Sequence, residues 1–409
     1  MRIIHTSDWH LGQYFYGKSR AAEHQAFLTW LIDKATEHAV DAIVVAGDIF
    51  DTANPPSYAR ELYFEFIAKI TSLNCPLIFL AGNHDSVAML SESKTVLSAL
   101  NTQVITHVNS EAPTNIPIYD EYQNLLGVVC AIPFIRPRDI VKSVAGQSAV
   151  EKQQQLQAAI ADYYLAQYEQ AKALIGDNEL PIIGTGHLTT VGASTSDSVR
   201  EIYIGTLDAF PADAFPPFNY LALGHIHQSQ LIAKSEHMRY CGSPIALSFD
   251  EVNHQKYVNL VNVSHQSCEV ERIAIPCHQP LLALKKPIDE LKTAIEKNVE
   301  AMQVEQQTIW LDIEVDSQEY HQDVQQRIEQ YLADLPVEVL RVRRSKTQRM
   351  AMLENQEKIT LEELDINDVF EQRLALMTDQ EIADDEQKQQ SDRLRALYLQ
   401  SVEQLQGQS

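Results

Sequence analysis

Five stretches of the chain run through apolar residues and stop on a side chain able to ligate a metal. Arg2 through Ser7 ends at Asp8-Trp9-His10, and Ala42 through Ala46 ends at Gly47-Asp48. Pro76 through Ala81 ends at Gly82-Asn83-His84-Asp85, Pro181 through Gly186 at His187, and Tyr220 through Leu223 at Gly224-His225-Ile226-His227. Short β-branched runs bounded by Gly and Asp predict buried strands. Ligands of open α/β sheets sit beyond the carboxyl ends of such strands, so the repeated placement points to one site. Between these runs, 54–74 and 86–100 carry apolar residues such as Leu62, Phe66 and Ile70 at helical spacing and predict helices flanking the sheet. Glu151 to Leu174, with Tyr163, Tyr164 and Tyr168, is read as a solvated helix covering the sheet in preference to a substrate contact.

The pattern breaks at Ile275-Pro-Cys-His-Gln-Pro280, which reads as a linker after a first domain of 1–275. From 281 to 345 a small α/β unit is expected: a helix from Ile288 to Met302, a strand from Thr308 to Val315, a helix from Tyr320 to Leu332 and a strand from Val337 to Val342. Residues 350–409 carry two acidic amphipathic segments. Leu361, Leu364, Val369, Phe370 and Leu374 form one stripe, and Leu394, Leu397, Tyr398, Val402 and Leu405 the other. A stretch that keeps apolar stripes without a core of its own suits helix-in-groove binding to a partner; docking back on the parent domain is the alternative.

The five strand ends supply Asp8, His10, Asp48, Asn83, His187, His225 and His227, enough for two metal sites. Alternate residues of an extended segment share a face, so Asp8 and His10 can chelate one ion, and His225 and His227 can each reach a metal. Asp48, after a tight Gly turn, is the natural bridge, and Asn83 offers a neutral oxygen that limits negative charge facing an anionic substrate. Two cations about 3.5–4 Å apart can clamp the attacking and leaving oxygens of a displacement at phosphorus. Mixed nitrogen and oxygen ligation suits manganese, iron or zinc better than magnesium or calcium. Taken singly, each residue has an ordinary reading as a turn residue or a core histidine; it is the ordered set that speaks for function.

The order and spacing D-x-H, GD, GNHD, GH and GHxH resemble the signature of the calcineurin-like metallophosphoesterases. The resemblance implies an α/β sandwich of two sheets flanked by helices. It also implies a first metal held by Asp8, His10, Asp48 and His227, and a second by Asp48, Asn83, His187 and His225. His84 would face the substrate phosphate, stabilising charge or protonating the departing oxygen, and Asp85 would orient His84 through a hydrogen bond. Wider stretches, Met1 to Gly12, Gly47 to Asp51, His187 to Asp208 and Tyr240 to Glu251, resemble the bacterial SbcD family of nuclease subunits strongly over about 1–275. Asp51 stands where eukaryotic and archaeal relatives tend to carry His. The SbcD resemblance implies a manganese-dependent DNA nuclease, a 3′-to-5′ exonuclease on duplex ends and an endonuclease on single strands and hairpins. A water bridging the metals would attack phosphorus. It implies a homodimer through the catalytic domain, joined to two copies of the ATPase SbcC through the 350–409 helices, with 281–345 as a cap that helps place DNA. A nucleotide or small-molecule phosphodiesterase and a non-catalytic DNA-end scaffold on the same fold are the rival readings.

Charge complicates the nucleic-acid reading. The chain of 409 residues has a formal net charge of −24, and 350–409 alone holds 14 acidic against 5 basic residues. Phosphate-binding surfaces are ordinarily basic, so a partner is expected to supply much of the DNA grip. The only dense basic cluster, Arg341, Arg343, Arg344, Lys346 and Arg349, reads either as a DNA or partner contact or as a solvated strand edge. Cys75, Cys130, Cys241, Cys268 and Cys277 are odd in number and lack a CxxC pair, which fits free thiols in a reducing cytoplasm. An 18-residue apolar run and a leader pattern are both missing, so a membrane span and a signal peptide are not expected.

Overall fold

The computed structural model describes residues 1–108, 114–142, 146–196, 198–199, 209–302, 307–315, 328, 330–344 and the single positions 370, 373, 374, 394, 395 and 398. The chain divides into two units, Met1–His278 and Gln279–Ser409.

The first unit holds two six-stranded sheets. One runs in the order Cys268–Ala274, Tyr257–Val263, Arg2–Thr6, Ala42–Ala46, Leu77–Leu80, Thr102–Ile105. The other runs Gln230–Ile232, Ser235–Tyr240, Tyr220–Gly224, Ile182–His187, Leu125–Cys130, Asn115–Tyr119. The apolar runs are continuous because both faces of the central strands are covered. Ile4, Ile43, Val45 and Phe79 face the helices Ala21–Glu37 and Ser57–Thr71. Their neighbours Ile3, Val44 and Ile78 face Val129, Ile183 and Ala222 of the other sheet. Beneath that second sheet lies helix Ala149–Ile175, opened by a reciprocal cap between Ser148 and Glu151. The result is a helix–sheet–sheet–helix sandwich, as expected. Tyr164 of that helix is wholly buried against Phe210 and Phe215, so its ring is core and not solvated. The segment 86–100 forms two short helices, Val87–Glu92 and Lys94–Ser98, instead of one, with Ser86 capping the first.

What matters for function is direction. Arg2–Thr6, Ala42–Ala46 and Leu77–Leu80 are parallel neighbours, with Ile3 opposite Ala42 and Ile43 opposite Leu77. Ile182–His187 and Tyr220–Gly224 are likewise parallel, His187 opposite Gly224. Each set therefore delivers its carboxyl ends, and the residues that follow them, to one edge.

In the second unit, Leu281–Lys286, Ile309–Val315 and Val337–Arg344 form a parallel sheet, covered by Leu291 and Ile295 of helix Ile288–Met302. A register shift between Leu311 and Asp312 sets Asp312 opposite Arg341. Arg341 forks onto the buried Asp312 carboxylate at 2.9 and 2.7 Å, and Arg343 reaches it at 3.1 Å. Two cations of the basic cluster are thus paired within their own sheet, which weakens the reading of that cluster as a contact surface; Lys346 and Arg349 lie outside the described residues. Most of the helix expected from Tyr320 to Leu332 lies outside them too, as do Leu361, Leu364, Val369, Leu397, Val402 and Leu405. The Phe370 and Tyr398 rings, one from each expected stripe, stack at 3.9 Å. Among the described residues, no helix is long and apolar enough to cross a membrane.

One polar link crosses the interior of the sandwich. His5 Nδ1 lies 2.9 Å from the Tyr220 hydroxyl of the opposite sheet, and Asn259, which pairs with His5 in register, donates to the same oxygen at 3.3 Å. Burial lowers the His5 pKa from its ordinary 6.5 to about 3. Below pH 6.5 the unfolded chain takes up a proton that folded His5 refuses, so this residue's share of stability is lost as pH falls from 6.5 toward 3, by up to about 1.4 kcal/mol per pH unit. Urea unfolding of wild type and His5→Asn between pH 7 and 5 should show a shallower pH slope in the variant; identical slopes would refute the assignment.

Candidate metal centre

The two segments that follow the first strands and carry expected ligands are zipped together by main chain. Asp8 N–H donates to the Gly47 carbonyl at 3.0 Å, His10 N–H to that of Asp48 at 3.1 Å, and Leu11 N–H to that of Ile49 at 2.9 Å. Asp8, His10, Asp48 and His225 all have left-handed backbones, with φ of 53°, 46°, 49° and 94°. Such conformations cost on the order of 1–3 kcal/mol each and persist where surrounding structure dictates them. Four of them among seven sequence-predicted ligands mark a place where fold energy is given up to aim side chains. The preceding glycines are steric necessities. A Cβ on Gly82 would lie 2.1 Å from Asp48 Oδ1, and one on Gly224 would lie 1.9 Å from the Ala46 carbonyl oxygen.

All seven sequence-predicted ligands converge. Asp8, His10 and His227 form one group of close donor atoms, and Asp48, His187 and His225 another. A third, His10, Asp48 and His84, joins them. Asp48 Oδ2 lies 3.1 Å from His187 Nε2 and 3.7 Å from His10 Nε2. Asn83 Oδ1 is 3.0 Å from the same His187 nitrogen.

Four imidazoles are anchored through Nδ1. His187 Nδ1 donates to the Ala46 carbonyl at 2.9 Å, His84 Nδ1 to the Asp51 carbonyl at 2.7 Å and His10 Nδ1 to the Asp51 carboxylate at 3.1 Å. His227 Nδ1 meets Ser198 Oγ at 2.6 Å. Ligating histidines are held in this way, their second nitrogen left to the metal. His10 Nε2 and His225 Nε2 are buried without a hydrogen-bond partner, a costly condition that a cation relieves. Burial alone would raise the Asp48 pKa, but the positive charge of His187, His84 and His10 holds it well below the usual carboxylate range. The centre therefore offers an ionised carboxylate among imidazole nitrogens, and these donors fit two divalent ions of mixed nitrogen and oxygen preference.

Asp85 has a role beyond the one expected of it. Its carboxylate accepts the backbone N–H groups of Gly82, Phe50 and Ile49 at 2.8, 2.9 and 3.1 Å. Those bonds splice the loop carrying Asn83 and His84 to the loop carrying Asp48, while the Asp51 carbonyl orients the His84 ring. Asp85 is thus a brace between the two loops. Burial and the Asp48 charge push its pKa up to about 6 against those hydrogen bonds.

Residues to which sequence reasoning assigned no role at the site include Asp51, which ties His10 to His84, and Arg136, whose Nη2 donates to the Asp85 carbonyl at 3.4 Å. Glu251, fully buried, lies behind His227. The sequence signal for Glu251 is its place at the end of the Tyr240–Glu251 stretch that carries the SbcD resemblance, directly after Asp250.

Residues 1–229 match the family model for calcineurin-like phosphoesterases, and residues 277–378 match one described as a type 5 capsule protein repressor C-terminal domain. Over 408 residues the chain is 52% identical to the SbcD subunit of nuclease SbcCD from Escherichia coli K12, covering 100% of this chain and 99% of the relative. It is 32% identical over 312 residues to the protein of the same name from Rhodobacter capsulatus, covering 73% of this chain and 76% of that one. The chain belongs to the calcineurin-like phosphoesterases and, within them, to the SbcD family of nuclease subunits.

The glycine geometry is directly testable. Gly17 has φ +80° with nothing near its absent Cβ, so Gly17→Ala should cost only about 1 kcal/mol of strain. Gly224→Ala drives a methyl into main chain and should cost about 3 kcal/mol or more. Urea midpoints of the two variants read the difference, and equal losses would show that contact at Gly224 does not control the turn.

Proposed function

We propose that this chain is the metal-dependent DNA nuclease subunit of an SbcCD-type complex that hydrolyses phosphodiesters at DNA ends. The observation that carries the reading is the convergence of seven donors from five strand ends on one buried edge, centred on the Asp48 carboxylate. The full-length likeness to SbcD nuclease subunits directs it to DNA.

Asp8, His10, Asp48 and His227 would hold one ion, and Asp48, Asn83, His187 and His225 the other; manganese, iron and zinc all suit this donor mixture, and the SbcD resemblance favours manganese. When bound, such a pair neutralises charge on a phosphoryl group and lowers the pKa of water at the site. The residues of the chain do the rest. Asp48, ionised and shared, keeps the two ligand sets at one spacing. His84, fixed through Nδ1 by the Asp51 carbonyl, would face the substrate phosphate, where it would stabilise developing charge or give a proton to the departing sugar oxygen. Asp85 holds the His84 loop against the Asp48 loop.

The activities that go with this reading are 3′-to-5′ exonuclease on duplex ends and endonuclease on single strands and hairpins. An acidic chain with part of its basic cluster paired internally has little of its own to grip a duplex. This supports a working assembly with an SbcC-type ATPase, two copies of each around a homodimer of the nuclease domain. Residues 281–345 would act as a cap and 350–409 as the helices that bind the ATPase coiled coil. Free thiols at all five cysteines are compatible with a cytoplasmic setting.

The test is cleavage of a labelled duplex with manganese by wild type and His84→Ala, with and without an ATPase partner. The variant should lose about 10²–10⁴-fold in rate while elemental analysis finds its metal content unchanged, and chelation should abolish cutting by the wild type. Intact DNA alongside cleavage of a generic phosphodiester dye would instead favour a small-molecule phosphodiesterase.

A further inference from the structure

Behind His227 lies a buried polar cluster that neither of the expected ligand sets includes. Glu251 is fully buried, yet its carboxylate is surrounded by donors. Lys256 Nζ reaches it at 2.6 Å, Ser196 Oγ at 2.8 Å, Leu247 N–H at 3.1 Å and Ser248 Oγ at 3.2 Å. Ser198 Oγ is also bound to Glu251 Oε1. On its other side Ser198 Oγ stands 2.6 Å from His227 Nδ1, whereas Glu251 Oε1 is 3.5 Å from that nitrogen. Lys256 Nζ further donates to the His227 carbonyl at 3.1 Å, and Ser243 N–H does so at the same distance.

Donor logic sets the direction of the chain. A carboxylate only accepts, so the Ser198 hydroxyl proton goes to Glu251. The serine oxygen is then left to accept, and His227 Nδ1 must carry the proton. His227 is thereby locked as the Nδ1–H tautomer, its Nε2 lone pair turned to the group it forms with Asp8 and His10. The direct separation of 3.5 Å is too long for a strong bond, so the serine carries the link.

We propose that Ser198 and Glu251 are positioning residues for His227, forming a Glu–Ser–His relay that sets the affinity of one metal site only. Lys256 supplies the charge that lets the carboxylate stay buried. The asymmetry follows from how the other histidines are held: His187 leans on a main-chain carbonyl, which side-chain substitution leaves in place, and it belongs to the group on the other side of Asp48. This inference rests on the two-ion reading above.

The experiment is manganese titration of the full-length chain, by calorimetry and by elemental analysis after dialysis, alongside thermal melting of the metal-free protein. Variants are Ser198→Ala, Ser198→Thr and Glu251→Gln. Ser198→Ala should keep one ion at wild-type affinity, weaken the other by about 10–100-fold and leave the metal-free melting temperature unchanged. Ser198→Thr, which retains the hydroxyl, should restore binding. Glu251→Gln should weaken the same ion and also lower the metal-free melting temperature, because Lys256 loses its counter-charge. Two ions held at wild-type affinity by Ser198→Ala would overturn the relay and leave the nuclease reading standing. An equal loss at both sites with a lowered melting temperature would also overturn it, since that is the mark of a merely structural role. A wild-type chain that holds no manganese would overturn the relay and the two-ion reading together.

Discussion

Asp48 is a carboxylate kept ionised where water does not reach, and the arrangement around it answers that constraint. An isolated buried charge is too expensive for a folded chain to keep, so compensation has to come from several directions. One Asp48 oxygen accepts the His84 backbone N–H at 2.9 Å, and the other looks toward His187 and His10. The Asp48 backbone itself is left-handed and zipped to the Asp8–Leu11 segment. Each neighbour of Asp48 is in turn placed by the end of a different strand. Tightening or loosening any strand pair would therefore be felt as a change in the charge balance at one residue.

This dependence explains why the first unit was legible in outline from its amino acids. The strands that end on candidate ligands are buried on both faces, so they read as unbroken apolar runs, and the glycine before such a residue records a backbone approach that leaves no room for a Cβ. Asn115–Tyr119, Leu125–Cys130, Tyr257–Val263 and Cys268–Ala274 extend the sheets without ending on chemistry. Cys268–Ala274 has charged, half-exposed positions, and nothing in such a stretch separates an edge strand from a loop. Leu281–Lys286, inside the small α/β unit, was assigned no element for a similar reason: a two-lysine end conceals a strand whose first two leucines are buried.

The site was less legible than its ligands. Histidines and aspartates at strand ends advertise themselves by type and spacing, but the groups that hold them do not. Asp85 sits beside His84 in sequence, which suggested that one orients the other. In space its oxygens accept amides from two loops, and the ring is also held by a main-chain carbonyl at Asp51, to which sequence is blind. Glu251 and Ser198 are 24 and 29 residues from the histidine they serve, and only folding reveals that the Tyr240–Glu251 turn closes behind His227.

The second unit shows the same economy of charge applied to a different end. Asp312 interrupts the apolar Ile309–Val315 strand, and its burial is tolerated because Arg341 and Arg343 fork onto it from the adjacent strand. Breaking one partner of such a pair is far more damaging than never having built it, so the acid and its arginines are bound to one another as a structural unit. An arginine committed to a buried acid has fewer donors left for phosphate. A basic run in the sequence thus overstates the positive surface the folded chain can present. Among the described residues, Arg341 and Arg343 therefore serve the sheet of the second unit before they serve any surface.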